Sequence, residues 1–461
     1  MKKALILIAA LLGALSCSKQ ESRTVRLSDV GGVSDGLTLN TAAFARGIDS
    51  LSSLGGGTLK VPAGLWLTGP ITLKSGVNLH LERNAVVIFD SDLDLYPIVN
   101  TNFEGLEMRR CLALLNADGQ KDISITGEGI FDGNGQDWRA LKKSKAPKSV
   151  WDERVASGGV VSENGSNWYP DAGFAKAQAT AGNFNKADDS LDENEIKRFL
   201  RPELLCFKNC EGILLEGCTF ENSPAWNLHL LWSKDIEVSG VTVRNPAWSQ
   251  NGDGIDIDAC EGVHLHHSSF DVGDDAICLK SGKDEDGRRK GIACSNVLIE
   301  DCTVYAGHGG FVVGSEMSGG VYDITVRNCT FIGTDVGLRF KSTRGRGGVV
   351  SGIDIENIYM KDIVADAIIF NLFYAGKPAT ELSAAGAQEE VPAADETTPE
   401  FRDINIKGVY CNGAGGRAIY ICGLPEMPVR NVSVSDCLFQ TNEGIVTYYT
   451  EGFTTENVTV K

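Results

Sequence analysis

The sequence predicts an all-β protein: a right-handed parallel β-helix with long loop insertions and a short N-terminal capping helix. A nine-residue pattern recurs along most of the chain from about residue 210, and most copies start about 23 to 34 residues apart. Within each copy the apolar residues alternate with a period of two, which is typical of strands, and no amphipathic helix separates the copies. Strand units repeated in this way stack into a solenoid.

The repeated unit is an apolar alternation, a polar turn, a small residue or cysteine and a final apolar residue. Its copies are DISITGEGI at Asp122, GILLEGCTF at Gly212, DIEVSGVTV at Asp235, GVHLHHSSF at Gly262, NVLIEDCTV at Asn296, DITVRNCTF at Asp323, GIDIENIYM at Gly352, DINIKGVYC at Asp403 and NVSVSDCLF at Asn431. Second strands follow as NLHLLWS at Asn227, GIDIDAC at Gly254, AICLKSG at Ala276, GFVVGSE at Gly310, GLRFKST at Gly337, AIIFNLF at Ala367, AIYICGL at Ala418 and GIVTYYT at Gly444. Together the two sets predict one continuous β-helix.

Stacking also explains four of the 13 cysteines. These four occupy the seventh place of their repeat, where other copies carry valine, serine or isoleucine; they are Cys218, Cys302, Cys329 and Cys437. We therefore predict a buried ladder of small side chains there and not disulfide bonds. A local bridge between Cys206 and Cys210 stays open.

The first residues carry the features of an export signal. Lys2 and Lys3 precede an apolar run too short to span a bilayer, and Ser16 precedes Cys17. This resembles a bacterial lipoprotein signal, cut before Cys17 so that its sulfur can be lipidated; a plain secretory cleavage is the alternative. We expect a signal peptide over 1–16, a tether over 17–24, and a location in the cell envelope (periplasm or cell surface) of a Gram-negative bacterium.

The remaining residues, 25–461, are predicted to form a single β-helix domain with two insertions. The insertion at about 139–201 contains a lysine cluster and an acidic stretch, and we expect a large loop over one face. The insertion at about 375–401 is rich in Ala, Glu, Thr and Pro. Near the start, a polar turn followed by an apolar period of 3.6 predicts a helix that caps the open end of the solenoid.

The charge of the chain restricts its partners. Its 61 acidic and 43 basic residues give a formal net charge of -18. A surface that acidic disfavours non-specific binding to nucleic acid. We expect contact with a membrane only through the lipid anchor.

The register predicts one cluster of polar side chains, because equivalent positions of successive turns lie about 4.8 Å apart. Asp253 and Asp275 stand directly before the small residue that opens the second strand in two successive turns. Asp274 stands one place earlier in the second of these turns, and His308 holds that place in the next turn. We therefore expect these four residues at one edge of the strands.

Alternation along the second strands also predicts which of their side chains point outward beside that edge. Their third positions are His229, Asp256, Cys278, Val312 and Arg339, and their fifth positions are Asp258, Lys280, Gly314 and Lys341. The basic pair Arg339 and Lys341 thus lies one turn beyond His308. Each of these residues alone would be ordinary in a turn or on the exposed side of a strand. Their convergence on one face indicates a functional site.

The chemistry of that face suits the cleavage of an anionic sugar polymer. Three carboxylates so close repel one another, so at least one should have a raised pKa. A proton donor beside ionised bases is what hydrolysis of a glycosidic bond requires. The adjacent guanidinium and ammonium groups suit a sugar that carries a carboxylate.

Four motifs occur in order: Asn251-Gly252-Asp253, Gly273-Asp274-Asp275, Gly307-His308-Gly309 and Arg339-Phe340-Lys341. They resemble the motifs of the polygalacturonase-type glycosidases, glycoside hydrolase family twenty-eight. The resemblance runs from about residue 25 to the C-terminus and includes DGLTLNTAAF, GEGIFDGNGQDW and NSPAWNLHLL. The family more often has threonine at the place of Gly252 and isoleucine at that of Phe340, and the second place points inward by alternation.

The resemblance implies hydrolysis of α-1,4-galacturonosyl linkages in pectin (polygalacturonan), with inversion and without a metal or other cofactor. It implies that Asp274 is the general acid, that Asp253 and Asp275 hold and activate the water, and that His308 tunes the acid. It also implies that Arg339 and Lys341 bind the substrate carboxylate and that Asn251 supports the site. Inversion predicts roughly 6.5–9.5 Å between the acid and base carboxyls.

The same resemblance bears on the mode of attack. The loop from Ser281 to Gly291 looks like the corresponding loop of exo-acting bacterial members, and with the 139–201 insertion it favours attack from a chain end. Arg288 or Arg289 is then predicted to bind the terminal sugar, and Lys280 to belong to a basic cleft for the galacturonan. An open, endo-acting groove is the alternative.

Three other functions stay open from the sequence. One is a galacturonosidase or hydrolase of the same family directed at rhamnogalacturonan. Another is a calcium-dependent pectate lyase on the same solenoid, with Asp256 and Asp258 as ligands. The third is a non-catalytic carbohydrate-binding solenoid, for which we would expect aromatic platforms without the three carboxylates.

Overall fold

The computed structural model describes residues 23–181, 185–374 and 391–461. One sheet of 31 strands contains almost all of the regular structure, and every pair of neighbouring strands in it is parallel and one turn apart. The strands stack in three ladders, so the chain forms a parallel β-helix. The predicted fold is confirmed.

The first ladder begins each turn and contains Thr24–Arg26, Gly57–Val61, Val77–Leu81, Lys121–Gly127, Glu211–Glu216, Lys234–Ser239, Glu261–His266, Cys294–Glu300, Val321–Arg327 and Thr454–Val460. The second contains Gly64–Thr68, Ala85–Phe89, Ile130–Asp132, Thr219–Glu221, Thr242–Arg244, Ser269–Asp271, Thr303–Ala306 and Thr330–Ile332. The third contains Ile71–Thr72, Leu115–Asp118, Leu205–Lys208, Leu228–Leu231, Ile255–Asp258, Asp275–Lys280, Gly309–Val313, Leu338–Lys341 and Ile368–Asn371. Three long strands continue through more than one ladder: Val349–Ile363, Glu400–Cys422 and Val429–Tyr448.

The remaining elements lie outside the ladders. The helices are α1 (Thr41–Ser53), α2 (Lys148–Ala156), α3 (Ala172–Thr180) and α4 (Asp284–Lys290), with short 3-10 helices at Leu27–Val30, Leu93–Leu95 and Gly135–Asp137. An antiparallel hairpin joins Ile98–Phe103 to Leu106–Cys111. A small antiparallel sheet consists of Leu141–Lys142, Val160–Val161 and Asn167–Tyr169, and Thr450–Glu451 pairs with the start of the last long strand.

The first residue of each repeat is fixed by the backbone that a tight turn requires. Asp235, Asn296 and Asp323 hold this place with φ of 55°, 53° and 57°, and Gly212 holds it with φ of 72°. A positive φ is accessible to glycine and, among the other residues, mainly to asparagine and aspartate. The turn therefore explains why the repeats start with Asp, Asn or Gly and why each first strand begins in the same register.

The core fills the interior of the coil with stacked side chains. Ile236 of one turn lies against Val263 of the next, and both are about 3% exposed. Aromatic rings stack in the same way, with Phe340 and Phe370 at 4.2 Å between centroids and 4° between planes. Close packing of this kind is best when equivalent positions of successive turns carry similar residues. This is the physical origin of the sequence repeat.

Two predictions about the ends and the cysteines are confirmed. Helix α1 buries Phe44, Ile48 and Leu51 against the first turn and so closes the end of the core. The four seventh-place cysteines are buried and free, as are Cys206 and Cys210, so the local bridge that the sequence left open is not formed.

The first insertion has more structure than a loop. It contains α2, α3 and the small antiparallel sheet, and its side chains Leu141, Trp151 and Trp168 form a separate apolar cluster against Trp248 of the β-helix. The expected large loop over one face is therefore partly folded, because three buried side chains give the insertion an apolar cluster of its own.

Some predicted segments lie outside the described residues. These are the signal peptide, Cys17, most of the tether and residues 375–390 of the second insertion. Within the described ranges, none of the helices has the length and apolar character needed to cross a bilayer.

Candidate active site

Three aspartates lie at the start of neighbouring strands of the third ladder. Asp253 comes just before the strand Ile255–Asp258, and Asp274 and Asp275 stand where the next strand begins. One carboxylate oxygen from each aspartate lies within 4.8 Å of the other two. The structure thus brings these three predicted residues together, and we call them the carboxylate trio.

The members of the carboxylate trio differ in access to solvent. Asp253 and Asp275 are 4% and 1% exposed, whereas the side chain of Asp274 is 26% exposed. A group that protonates a polymer must touch it, so access to the surface separates Asp274 from the other two carboxyls.

His308 reaches Asp274 from the following turn. Its Nδ1 lies 2.8 Å from Asp274 Oδ1, and its backbone N–H donates to the Asp274 carbonyl at 2.8 Å. The backbone N–H of Asp275 also donates to Asp274 Oδ1, at 3.1 Å. On its other side, His308 Nε2 lies 3.8 Å from Asp335 Oδ2. The imidazole is therefore positioned to set the protonation of the exposed carboxyl.

Arg339 and Lys341 converge on Asp275. Lys341 Nζ lies 2.6 Å from one carboxylate oxygen and Arg339 Nη1 lies 3.3 Å from the other. Arg339 also donates to the carbonyl of His308 at 3.4 Å, and both cations lie near the ring of Tyr374. The basic pair predicted to bind substrate is thus also the charge partner of a buried carboxylate. Its predicted contact with substrate stays a prediction.

These surroundings shift the pKa values of the trio in opposite directions. Burial, with the charges of Asp274 and Asp256, raises the pKa of Asp253 well above its usual value. Burial also acts to raise the pKa of Asp275, but Lys341 and Arg339 outweigh it and the pKa falls. For Asp274, the hydrogen bond and charge of His308 outweigh burial and lower the pKa. Before substrate binds, a proton therefore favours Asp253 over the other two carboxyls.

The carboxyl groups of the trio lie close together. One oxygen of each lies within 4.8 Å of an oxygen of the other two. The roughly 6.5–9.5 Å expected of an inverting pair separates whole carboxyl groups and not their nearest oxygens. The predicted separation of acid and base therefore stays a prediction.

Beneath the trio lies a second set of charges, which we call the buried charge layer and define as Asp256, Lys280 and Glu316. Lys280 Nζ lies 3.5 Å from Asp256 Oδ1 and 3.2 Å from Glu316 Oε2. Burial raises the pKa of Asp256 to about 7. Burial opposes but does not prevent the lowering of the Glu316 pKa to about 2 by Lys280 and Lys283.

The prediction that Lys280 lines an open cleft is wrong. Its side chain does point outward from the ladder, but it is only 4% exposed and lies 4.8 Å above the ring of Trp226. Phe103 of the hairpin packs on Trp226 at 4.6 Å, so the hairpin covers this part of the outward face. Strand alternation correctly predicts that the Lys280 side chain points outward. It cannot predict which other segments cover that side chain.

His229 belongs to the same covered face. It is fully buried, with Nδ1 2.7 Å from Glu203 Oε1 and Nε2 3.4 Å from Asp258 Oδ2. Burial opposes protonation, but these two carboxylates outweigh it and raise the His229 pKa well above its usual value. Glu203 and Glu316 were not predicted as site residues, because Glu203 lies outside the repeat copies and Glu316 occupies the seventh place of its copy, which holds no common residue type.

Asn251 supports the site through residues from two covering segments. Its Oδ1 accepts a hydrogen bond from Arg201 Nη2 at 2.8 Å, and its Nδ2 donates to Glu104 Oε1 at 3.1 Å. Asn185 bonds to both Asn251 and Glu104. The turn that carries Asp253 is therefore tied to the hairpin and to the end of the first insertion.

The predicted sugar-binding arginines lie on α4. Arg288 donates to the carbonyls of Gly345 and Arg346, at 2.6 and 3.1 Å, and so connects α4 to a neighbouring loop. Arg289 pairs with Asp286 at 2.9 Å and its side chain is 67% exposed. The structure does not bring either arginine to the carboxylate trio, and their contact with a terminal sugar stays a prediction.

One residue at the site comes from the first insertion and was not singled out as a site residue. Lys145 Nζ lies 2.9 Å from His308 Nε2. It belongs to the lysine cluster visible in the sequence, but an insertion has no repeat register from which this contact could be predicted.

Three groups of side chains among the described residues have the spacing of metal ligands. Besides the trio, they are Glu203 with Cys206 and His229, and Glu237 with His264 and His266. The trio is a poor cation site because Lys341 and Arg339 already neutralise Asp275. The proposed calcium ligands of a lyase fit no better, since Asp256 and Asp258 are both fully buried and Asp256 already lies beside Lys280.

This arrangement on a parallel β-helix corresponds to a known family. The model of the family described as "Glycosyl hydrolases family 28" matches residues 152–440. The chain belongs to this family. The match includes all four motifs and thus supports the resemblance seen in the sequence.

Individual members of family 28 resemble this chain over most of its length. An exo-poly-alpha-D-galacturonosidase of Dickeya chrysanthemi is 27% identical over 411 residues, 87% of this chain and 64% of the relative. An endo-polygalacturonase of Pectobacterium carotovorum subsp. carotovorum is 26% identical over 430 residues, 90% of this chain and 89% of the relative. The crystal structure of a hyperthermoactive exopolygalacturonase from Thermotoga maritima matches with a TM-score of 0.77 and 29% identity, covering 95% and 92% of the two chains. The chain spans just under two thirds of the length of the first curated relatives, 65% and 64%.

Proposed function

We propose that the protein hydrolyses α-1,4-galacturonosyl linkages in the polygalacturonan of pectin. The observation that carries this proposal is the exposed Asp274, hydrogen-bonded to His308 and backed by two carboxyls that only a small molecule can reach. Membership of glycosyl hydrolases family 28 and the names of the relatives support the same reaction.

In the proposed mechanism, Asp274 protonates the oxygen of the leaving sugar and a water molecule attacks the anomeric carbon. Asp275, whose pKa Lys341 and Arg339 lower, activates that water, and Asp253 holds it in place. Because Asp253 and Asp275 are almost fully buried, and Asp275 is held between Lys341 and Arg339, neither is available to form a covalent bond with the sugar. The burial and pairing of these two carboxyls therefore support inversion.

The substrate carboxylates need cations at the groove, and Arg339 meets this requirement. Its side chain is 23% exposed and only one of its nitrogens is used by Asp275 and the His308 carbonyl. A guanidinium has five N–H donors, so donors remain for an anionic sugar.

We propose further that attack starts from a chain end. The first insertion lies against the site at two places, through Lys145 on His308 and through Asn185 on Asn251. A segment that touches the catalytic groups from above narrows the groove beside them. Relatives named for exo action support this mode, although other relatives are named for endo action.

The products of polygalacturonate digestion test both proposals. A hydrolase should release reducing ends in the presence of a strong chelator, without the ultraviolet absorbance of an unsaturated uronate. For exo action, viscosity should fall slowly relative to reducing ends, with one small sugar accumulating from the start. An early ladder of mixed oligomers with rapid loss of viscosity would contradict exo action, and unsaturated products would contradict hydrolysis.

For the location, we propose export and a lipid anchor on Cys17 in the cell envelope of a Gram-negative bacterium. The basic, apolar and small residues that end at Cys17 support this proposal. Metabolic labelling with a radioactive fatty acid should mark the wild-type protein and fail to mark Cys17→Ser. Equal labelling of both would contradict the anchor.

A further inference from the structure

Lys145 is held at the site by the packing of the first insertion. It follows the strand Leu141–Lys142 in a turn in which its N–H donates to the Lys142 carbonyl at 3.1 Å. Leu141 belongs to the apolar cluster with Trp151, and α2 begins three residues after Lys145. The chain is thus fixed on both sides of Lys145, and the side chain extends from there to His308 Nε2 at 2.9 Å.

Lys145 differs from the other cations of the site in its partners. Lys341 and Arg339 are committed to Asp275, and Lys280 to Asp256 and Glu316. Lys145, by contrast, forms no ion pair with a carboxylate in the part of the chain that the structure describes. In a protein with a net charge of -18, an ammonium without a carboxylate at the mouth of a site is available to an anion.

The contact with His308 is also conditional. The Lys145 ammonium can donate to Nε2 only while His308 is neutral and carries its proton on Nδ1. Once His308 is protonated on both nitrogens, the two cations repel each other. Asp274 favours the protonated form, since its hydrogen bond raises the His308 pKa against the opposing effects of burial and of Lys145. The other charged groups facing His308 are Asp335, Asp275 and Arg339.

We propose that Lys145 binds a carboxylate of the galacturonan and forms a second carboxylate-binding site, separate from Arg339 and Lys341. This inference rests on the proposed function. Lys145 contacts the ring of His308 and Arg339 contacts its carbonyl, so the two cations flank one histidine. Two carboxylates of the same polymer can thus bind to Lys145 and Arg339, on either side of the catalytic acid.

Binding at Lys145 also changes the proton positions at Asp274. When a sugar carboxylate takes the ammonium, Nε2 no longer accepts a hydrogen bond and can carry the imidazole proton. Nδ1 then becomes an acceptor, and Asp274 takes one proton from solvent and donates it to Nδ1 in a hydrogen bond. The carboxyl that is ionised in the free protein is thereby protonated when substrate is in place, as a general acid must be.

The test compares Lys145→Met with Lys148→Met on trigalacturonate and on its methyl ester. Lys148 is a matched control because it lies on the same insertion, pairs with Asp152 and has a side chain that is 87% exposed. We expect Lys145→Met to raise KM for the free acid by about tenfold or more, and KM for the ester by less than about twofold. Lys148→Met should leave both unchanged, and Lys145→Arg should restore most of the affinity for the free acid.

A second measurement follows the tautomer of His308 by nitrogen-15 NMR, with digalacturonate as the probe. In the wild type, digalacturonate should engage Lys145 and move the imidazole proton from Nδ1 to Nε2; in Lys145→Met the tautomer should not respond to the ligand. Equal changes of KM on acid and ester, or an unchanged response of His308 in the variant, would overturn the role of Lys145. Wild-type protein that cleaves neither substrate would instead overturn the proposed function itself.

Discussion

Two layers of charge lie on the same strands of the third ladder and differ in their access to water. In the groove, the side chains of Asp274 and His308 are 26% and 28% exposed. In the buried charge layer, those of Asp256 and Lys280 are 0% and 4% exposed, because the hairpin and Trp226 cover them. The two layers contain the same kinds of groups at neighbouring register positions.

The difference in access gives the layers different roles. An exposed acid and its histidine can exchange protons with solvent and touch a polymer. Charged side chains that water cannot reach are held in one position, and burying each of them costs free energy unless it is paired with an opposite charge. They nevertheless act on the trio, since Asp256 contributes to the raised pKa of Asp253 and Lys280 to the lowered pKa of Asp275. The buried charge layer thus contributes to the electrostatic potential at the carboxylate trio.

The largest effect is expected in the groove. Asp274→Asn keeps the shape of the side chain but cannot protonate the leaving oxygen, so turnover should fall by roughly 10²–10⁴-fold. Because the side chain is partly exposed, the melting temperature should change little. Steady-state rates on polygalacturonate, with circular dichroism melting as the control, measure both. Wild-type-like rates in this variant would remove Asp274 from its role.

In the buried charge layer, the same kind of change should act on stability. Lys280→Met leaves Asp256 and Glu316 buried without their common cation, which should lower the free energy of unfolding by about 3–5 kcal/mol. Asp256→Asn is the matched control and should cost less, because it removes a charge and leaves Lys280 paired with Glu316. Urea unfolding measures the free energy of unfolding of the two variants. An equal loss of stability in both would contradict the pairing of Lys280 with both carboxylates.

Asp256 also predicts a dependence of stability on pH. Its pKa is raised from 3.8 to about 7 in the fold, so folding favours its protonated form. The corresponding stabilisation is complete below the unfolded pKa and is lost as pH rises through about 7. Between pH 4 and 7 the wild type should therefore lose free energy of unfolding relative to Asp256→Asn, which has no such titration. Parallel pH profiles of the two proteins would show that Asp256 is already ionised in this range.

The smallest effect on stability is expected at the surface. Arg289 pairs with Asp286 in solvent, so Arg289→Ala should change the free energy of unfolding by less than about 1 kcal/mol. The same variant tests the predicted contact with a terminal sugar. A raised KM with unchanged melting would support that contact, and an unchanged KM would exclude Arg289 from the binding site.

The parts of the molecule that could be predicted are those governed by the repeat. Because each turn adds one strand per ladder, the positions of Asp253, Asp274 and His308 in the sequence translate directly into contacts between turns. The same register predicted the cysteine ladder and the direction of Lys280. The capping helix followed from its own apolar period.

What could not be predicted comes from segments outside the register. The hairpin that buries Lys280 and the insertion that supplies Lys145 reach the third ladder through tertiary packing, on Trp226 and Trp248 respectively. Such packing joins residues far apart in the chain without a periodic signal. Glu203 and Arg201 could not be predicted for the same reason.

The exposed Asp274 and the water held by two buried carboxyls should act from opposite sides of one glycosidic bond. Proton NMR can identify the anomer of the first sugar released from polygalacturonate before mutarotation. We expect the new reducing end to appear first as the β-anomer, opposite to the α-linkage of the substrate. Initial release of the α-anomer would mean that a carboxylate had formed a covalent intermediate, and it would exclude the direct attack of water.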